Sequence, residues 1–191
     1  VLSALQESAD GVCGVAIDSD AETLAGCGGA TCIAVGQERS GRFGTGGDVR
    51  LGRRFIQESL SEIGEACGGS DLVMVVCGLS GGMAGGTPLI LDRARSEGAL
   101  TICLAILPAQ FEGAARREQA DRAVAELRPA CDAIVAVAND RLFGHTGEEK
   151  VGAAFEKGNE LVAESVRGIC HLLTRPGYIG LDFGDLRRVA Q

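Results

Sequence analysis

Gly78-Leu79-Ser80-Gly81-Gly82-Met83-Ala84-Gly85-Gly86-Thr87-Pro88 is the stretch on which the fold turns. An apolar run, Leu72 to Val76, leads into it, and a helical pattern, Leu89 to Ser96, leads away from it. Strand, glycine turn, helix is the order that makes a helix N-terminus a seat for phosphate. Glycine lets the backbone come close to an anion, the first N–H groups of the helix are unpaired, and the helix dipole favours negative charge. A second cluster, Gly44-Thr45-Gly46-Gly47-Asp48, precedes a helical pattern over Leu51 to Ala66. Two such loops in one alternating α/β chain point to a nucleotide.

Working outward, strand and helix patterns alternate. Val12 to Ile17, Thr31 to Val35, Leu72 to Val76, Leu100 to Ile106 and Ala133 to Val137 read as strands. Gly113 to Leu127, followed by Pro129, reads as a charged amphipathic helix, and Gly152 to Leu173 as a long helix ended by Thr174, Arg175 and Pro176. Strands that are apolar on every residue are covered on both faces, which predicts a doubly wound, mostly parallel sheet with helices on both sides. In such sheets a ligand binds outside the carboxyl ends of the strands, where both glycine loops fall. The opening residues, with Leu2, Leu5 and Gln6, read as the end of a helix and not as a strand. A nucleotide-binding sheet of this kind normally begins on a central strand with its own glycine turn, so the sequence predicts one domain over residues 1–191 that lacks this first strand.

The bulk numbers narrow the class. The 191 residues suffice for one domain with a sizeable core, and 46 % hydrophobic content marks a folded chain. No apolar stretch approaches the roughly 20 residues that a membrane helix needs, so no membrane insertion is expected. A net charge of −8 argues against nucleic acid as a partner, but not against a single nucleotide held by backbone N–H groups. Of the eight cysteines, Cys13, Cys77, Cys103 and Cys131 lie in or beside strand-like runs and Cys170 in a helical one. No Cys-x-x-Cys pair occurs, and the two histidines, His145 and His171, stand far from any cysteine cluster. These are expected to be reduced core thiols of a cytoplasmic protein, with no metal centre.

Further motifs follow in order: Phe111-Glu112-Gly113-Ala114-Ala115-Arg116 after the Leu100 strand, Asn139-Asp140-Arg141-Leu142 after the Ala133 strand, Phe155 and Asn159 near the start of the long helix, and Asp182-Phe183-Gly184-Asp185 after Pro176-Gly177. Together with the two glycine loops, this collinear set resembles the GTPase domain of the tubulin/FtsZ superfamily, and FtsZ more than tubulin. The resemblance covers almost the whole chain. It implies a Rossmann-like fold with a central helix at its C-terminal end, binding of GTP or GDP with Mg²⁺, and head-to-tail self-association into cytoskeletal filaments of the kind used in cell division.

The resemblance also assigns residues. Gly78, Ser80, Gly81, Gly82, Gly85 and Gly86 fall in the signature loop that wraps the phosphates; Gly44, Thr45, Gly46 and Gly47 match the loop that meets the terminal phosphate. Glu112 and Arg116 match contacts to ribose and phosphate, Asn139 a guanine-reading amide, and Phe155 an aromatic on the base. Asn159 stands where FtsZ usually carries Asp and tubulin Asn, and an amide offers guanine both an acceptor and a donor. Asp182 and Asp185 match the acidic pair of the synergy loop, which acts on the nucleotide of the next subunit. The chain departs from the pattern at Met83 and Ala84, which replace loop threonines, at Gly180, which replaces an Asn, and in having no counterpart of the C-terminal activation domain.

Each position has a plainer reading as well. Asp182 and Asp185 suit the first turn of any helix, Asn139 suits a helix N-cap, Glu112 and Arg116 suit an i,i+4 surface ion pair, and Phe155 suits core packing. The altered signature loop also suits a relative that assembles without hydrolysing nucleotide. A dinucleotide-binding oxidoreductase is a third class, on the strength of Asp18 and Asp20 at a strand end; no Gly-x-Gly-x-x-Gly follows the opening strand.

Overall fold

The computed structural model describes residues 12–37, 44–140, 151–174 and 183–190. β1 (Val15–Asp18), α1 (Ala21–Ala25) and β2 (Thr31–Ala34) form a parallel two-stranded unit. α2 (Val49–Glu58) and α3 (Leu60–Cys67) lead to β3 (Leu72–Gly78). A 3₁₀ turn (Gly82–Gly86) and α4 (Thr87–Ser96) lead to β4 (Leu100–Leu107). A second 3₁₀ turn (Gln110–Glu112) and α5 (Ala114–Leu127) lead to β5 (Ala133–Ala138). The chain ends in α6 (Val151–Thr174) and α7 (Phe183–Ala190). β3, β4 and β5 form a parallel sheet in that order.

β4 shows why this sheet forms. Its residues are apolar except Thr101, and Leu100 to Ala105 are buried. Cys103 and Ala105 pack with Leu79, Leu91 of α4, and Ala120 and Leu127 of α5. Ile102 and Leu104 pack with Val162, Val166 and Cys170 of α6. The two-residue period of the strand thus divides its side chains between helix layers on opposite faces. A third cluster, Ile33, Val35, Phe55, Ile56, Ile63 and Ile90, lies against β1 and β2. Val75 of β3 packs against both this cluster and the first. Two parallel sheets therefore share a core without sharing a hydrogen-bond ladder among the described residues.

The sequence predicted one helix over Leu51 to Ala66, but the structure breaks it at Ser59, whose ψ of 11° leaves the helical region. α2 also begins two residues earlier than expected. Asp48 caps it, its Oδ1 accepting from the N–H groups of Arg50 at 2.8 Å and Leu51 at 3.4 Å. α1 and α7 add to the predicted elements. Among the cysteines, Cys103, Cys131 and Cys170 are buried, but Cys13 and Cys32 are exposed and so are not core thiols. No described helix is long and apolar enough to cross a membrane.

Candidate functional site

The glycine loops meet because their glycines permit backbone contact. A Cβ on Gly52 of α2 would stand 2.1 Å from the carbonyl oxygen of Gly82, and one on Gly85 would stand 2.0 Å from that of Val49. A Cβ on Gly86 would stand 2.3 Å from Ile56 Cγ1, and one on Gly82 would stand 2.4 Å from Thr45 Oγ1. These distances lie far inside van der Waals contact, so the start of α2 and the 3₁₀ turn pack against each other only as glycine surfaces. Gly44, Gly46 and Gly47 serve differently: their φ values of +60°, +57° and +87° lie in the left-handed region that glycine adopts freely. A Cβ on Gly44 would touch Ser19 Oγ at 3.4 Å. This joins the carboxyl end of β1 to the loop that leans on the carboxyl end of β3.

Gly78 and Gly81 border open space, with nothing described within 4 Å of an added Cβ. Between them the ladder ends at Leu79, whose N–H donates to Ile106 at 2.9 Å. Among the described residues, the N–H groups of Ser80, Gly81, Gly82 and Met83 find no acceptor. Unpaired N–H groups in such a run are able to receive an anion. The carbonyl of Gly81 is held from the other side, accepting from Ala84 N–H at 3.3 Å and from Gln119 Nε2 of α5 at 3.4 Å. Met83 packs against the Phe55 cluster and Ala84 is buried beside Leu79 and Leu91. The two residues that depart from the family pattern are thus anchors turned into the core. Thr87 is buried as well, with its hydroxyl toward the Cys77 sulfur.

The loops after β4 and β5 join at the same end of the sheet. Asp140 Oδ1 accepts from Gln110 N–H at 2.8 Å, which places Asn139, the first helical residue after β5, beside the 3₁₀ turn of Gln110–Glu112. Glu112 closes that turn: its Oε1 accepts from Ala109 N–H at 2.9 Å and its Oε2 from Arg116 Nη1 at 2.9 Å. The expected i,i+4 pair therefore forms. The Arg116 side chain stays 57 % exposed, whereas that of Glu112 is only 12 % exposed. Asn159 is exposed on α6, one turn before the buried Val162. The side chain of Phe155 and all of Asp182 lie outside the described residues.

Asp185 stands apart from these groups. It lies in the first turn of α7 and pairs with Arg188. α7 docks through Leu186, which packs on the Ile102 cluster, and through Arg187 Nη2, which donates to the Gly98 carbonyl at 3.1 Å. Gly98 precedes β4, so α7 sits at the amino end of the sheet.

Asp48 and Asp20 both hold their carboxyls below the ordinary value. For Asp48 the first cause is the N–H of Arg50; for Asp20 it is the hydroxyl of Thr23, then the N–H of Glu22. Sequence reasoning missed Ser19, which is 2 % exposed at the end of β1 and borders Gly44. The run Asp18-Ser19-Asp20, a strand end followed by a helix cap, carried that signal. It also missed Gln119, because nothing local marks a helix residue that reaches a loop 38 positions earlier.

Comparisons with known proteins agree with this geometry. The family model described as Tubulin/FtsZ family, GTPase domain matches residues 4–147. Cell division protein FtsZ 1 of Pyrococcus horikoshii is 36 % identical over 176 residues, which are 92 % of this chain and 47 % of that protein. Cell division protein FtsZ 1 of Halobacterium salinarum is 37 % identical over 178 residues, 93 % of this chain and 45 % of that protein. The chain spans about half the length of these curated relatives. An FtsZ dimer of M. jannaschii, described as empty, superposes with a TM-score of 0.91 at 30 % identity, over 99 % of this chain and 57 % of that one. CetZ2 from Haloferax volcanii, solved as a GTPgS-bound protofilament, superposes with a TM-score of 0.75 at 26 % identity, over 82 % of this chain and 48 % of that one. The chain belongs to the tubulin/FtsZ family and carries its GTPase-domain fold.

Proposed function

We propose that this domain binds GTP and GDP in the cytoplasm and hydrolyses GTP at a head-to-tail contact between subunits of a filament, as part of a cell-division cytoskeleton. The observation that carries this reading is the distance between its parts. The N–H groups of Ser80 to Met83, unpaired among the described residues, lie at the carboxyl end of β3, whereas α7, with Asp185, docks against Gly98, two residues before β4. A strand of eight residues spans roughly 25 Å. Asp185 thus lies too far to serve a phosphate bound by its own chain, and suits one presented by the subunit stacked below. A contact of that kind is heterologous and does not close, which makes a filament.

In this reading the glycine turns and Ser80 hold the phosphates, Thr45 and its loop meet the terminal one, and the free N–H groups of Arg116 reach toward phosphate while Glu112 faces the ribose. Asn139 and Asn159 read guanine and Phe155 covers it. Asp182 and Asp185 of the neighbour orient the attacking water. Mg²⁺ suits this donor set as an ion carried on the phosphate oxygens, since it takes few protein ligands in such sites, and its charge would offset that of the terminal phosphate. No group of three ligating side chains that would cage a metal occurs among the described residues.

GTP turnover per subunit, measured with Mg²⁺ against protein concentration, tests the proposal. Turnover should be near zero at low concentration and rise above a threshold. Asp182→Ala should cut it by about 100-fold or more and leave nucleotide affinity nearly unchanged. Turnover per subunit that is constant on dilution would overturn the shared site. Nucleotide binding with no turnover at any concentration would favour a relative that assembles without hydrolysis.

A further inference from the structure

We propose that Cys77 and Cys103 are a redox-active thiol pair, oxidised by hydroperoxides to a disulfide that disturbs the glycine turn beginning at Gly78. The sulfurs stand 3.8 Å apart, brought together from positions 26 residues distant. Among the described residues they are the only two cysteine sulfurs within hydrogen-bond reach of each other. In the β3–β4 ladder Cys77 is opposite Ala105 and Cys103 opposite Val75, so the two thiols are diagonal neighbours on the same face, within the Leu79 cluster. The pair has no part in the nucleotide site as described.

Bond formation must move the backbone. The sulfurs have to close by roughly 1.8 Å to reach the disulfide length, and diagonal neighbours start further apart at Cα than a disulfide permits. Cys103 is fully buried in the central strand and laddered on both sides, so it cannot yield. Cys77 is the last residue but one of β3, and Gly78 after it borders open space. The displacement therefore passes into the turn.

The chemistry assigns each thiol a role. Cys77 is half-buried whereas Cys103 is fully buried, so Cys77 is the thiol that a small oxidant meets first. The neighbouring Cys103 thiol holds the Cys77 thiol below the ordinary thiol value, whereas the same contact, together with burial, pushes that of Cys103 up. The Cys77 sulfur attacks the O–O bond of the hydroperoxide, releasing an alcohol, or water from hydrogen peroxide, and becoming a sulfenic acid. The Cys103 sulfur then displaces the hydroxyl of that sulfenic acid, which leaves as water with the thiol proton. Two thiols and one hydroperoxide yield one disulfide, one alcohol and one water, and the two electrons pass from sulfur to the O–O bond. Such a strained disulfide is readily reduced by a dithiol.

The consequence for nucleotide rests on the proposed function; the thiol chemistry does not. The protein is treated with hydrogen peroxide, its remaining thiols are blocked with N-ethylmaleimide, and its tryptic peptides are mapped with and without dithiothreitol. In parallel, affinity for a fluorescent GDP analogue is titrated. A peptide linked through Cys77 and Cys103 and reversed by dithiothreitol is expected. With it should come a loss of affinity of about tenfold, the effect of one or two charge-assisted hydrogen bonds. Cys103→Ala should abolish both responses and Cys131→Ala neither. Should Cys103→Ala fail to fold, the peptide map of the unaltered protein decides. Recovery of Cys77 and Cys103 as alkylated thiols, while the exposed Cys13 and Cys32 oxidise, overturns the pair. A disulfide that leaves affinity unchanged overturns its link to the turn. A reduced protein that binds no guanine nucleotide overturns the proposed function instead, and the peptide map still decides the pair.

Discussion

At the scale of single residues, glycine does two different jobs in one short loop. Gly82, Gly85 and Gly86 are packing surfaces, pressed against Thr45, Val49 and Ile56, whereas Gly78 and Gly81 face open space. The distinction is measurable. Gly85→Ala and Gly52→Ala each force a Cβ against a backbone carbonyl, which no side-chain rotation relieves. Each should lower unfolding stability by about 1–3 kcal/mol, the usual cost of overpacking. Gly81 has φ −96° and ψ 159°, which alanine adopts without strain, so Gly81→Ala should stay within about 0.5 kcal/mol of the parent. Urea unfolding of the three variants checks this, and a Gly81 variant as unstable as Gly85→Ala would contradict it.

At the scale of elements, the amino ends of β4 and β5 are tied by a pair that takes no part in the site. Asp132 Oδ2 accepts from both the N–H and the hydroxyl of buried Thr101, each at 2.8 Å, and Thr101 Oγ1 accepts from Asp132 N–H at 3.1 Å. Asp132→Ala leaves two buried donors unpaired, at about 1–3 kcal/mol each. Unfolding stability should fall accordingly while nucleotide affinity holds, since the glycine turns lie at the other end of these strands. Calorimetry paired with nucleotide titration separates the two effects. The same elements show what a sequence reveals. β4 was legible because a strand covered on both faces needs no polar positions, and the glycine turns were legible because few other residues can form them. The break at Ser59 was not, because Phe55, Ile56, Leu60 and Ile63 keep one helical apolar rhythm across it and pack on the same cluster. Five-residue α1 was too short for any rhythm. The inward turn of Met83, Ala84 and Thr87 was hidden for another reason. It depends on Phe55, Leu91 and Cys77, brought there by packing and not by spacing.

At the scale of the whole molecule, the glycine loops and α7 occupy opposite ends of one parallel sheet, and this polarity makes a trans experiment possible. Asn139→Ala should impair guanine binding yet keep α7 intact, and Asp185→Ala should keep binding yet lose its carboxylate. Each variant alone should turn over little GTP. In an equal mixture the Asp185→Ala subunits supply sound nucleotide sites and the Asn139→Ala subunits supply sound aspartates. With random head-to-tail order, about a quarter of the contacts pair a sound site with a sound aspartate. Turnover of the mixture should therefore recover to roughly a quarter of the parent value at the same total concentration, and fall again on dilution below the assembly threshold. A site completed within one chain has no such route to rescue, because each subunit keeps its own lesion. A mixture no more active than its components, from variants that still pellet as filaments, would place Asp185 outside the reaction and return it to the role it plays within α7, as a partner of Arg188 in the first turn of an amphipathic helix.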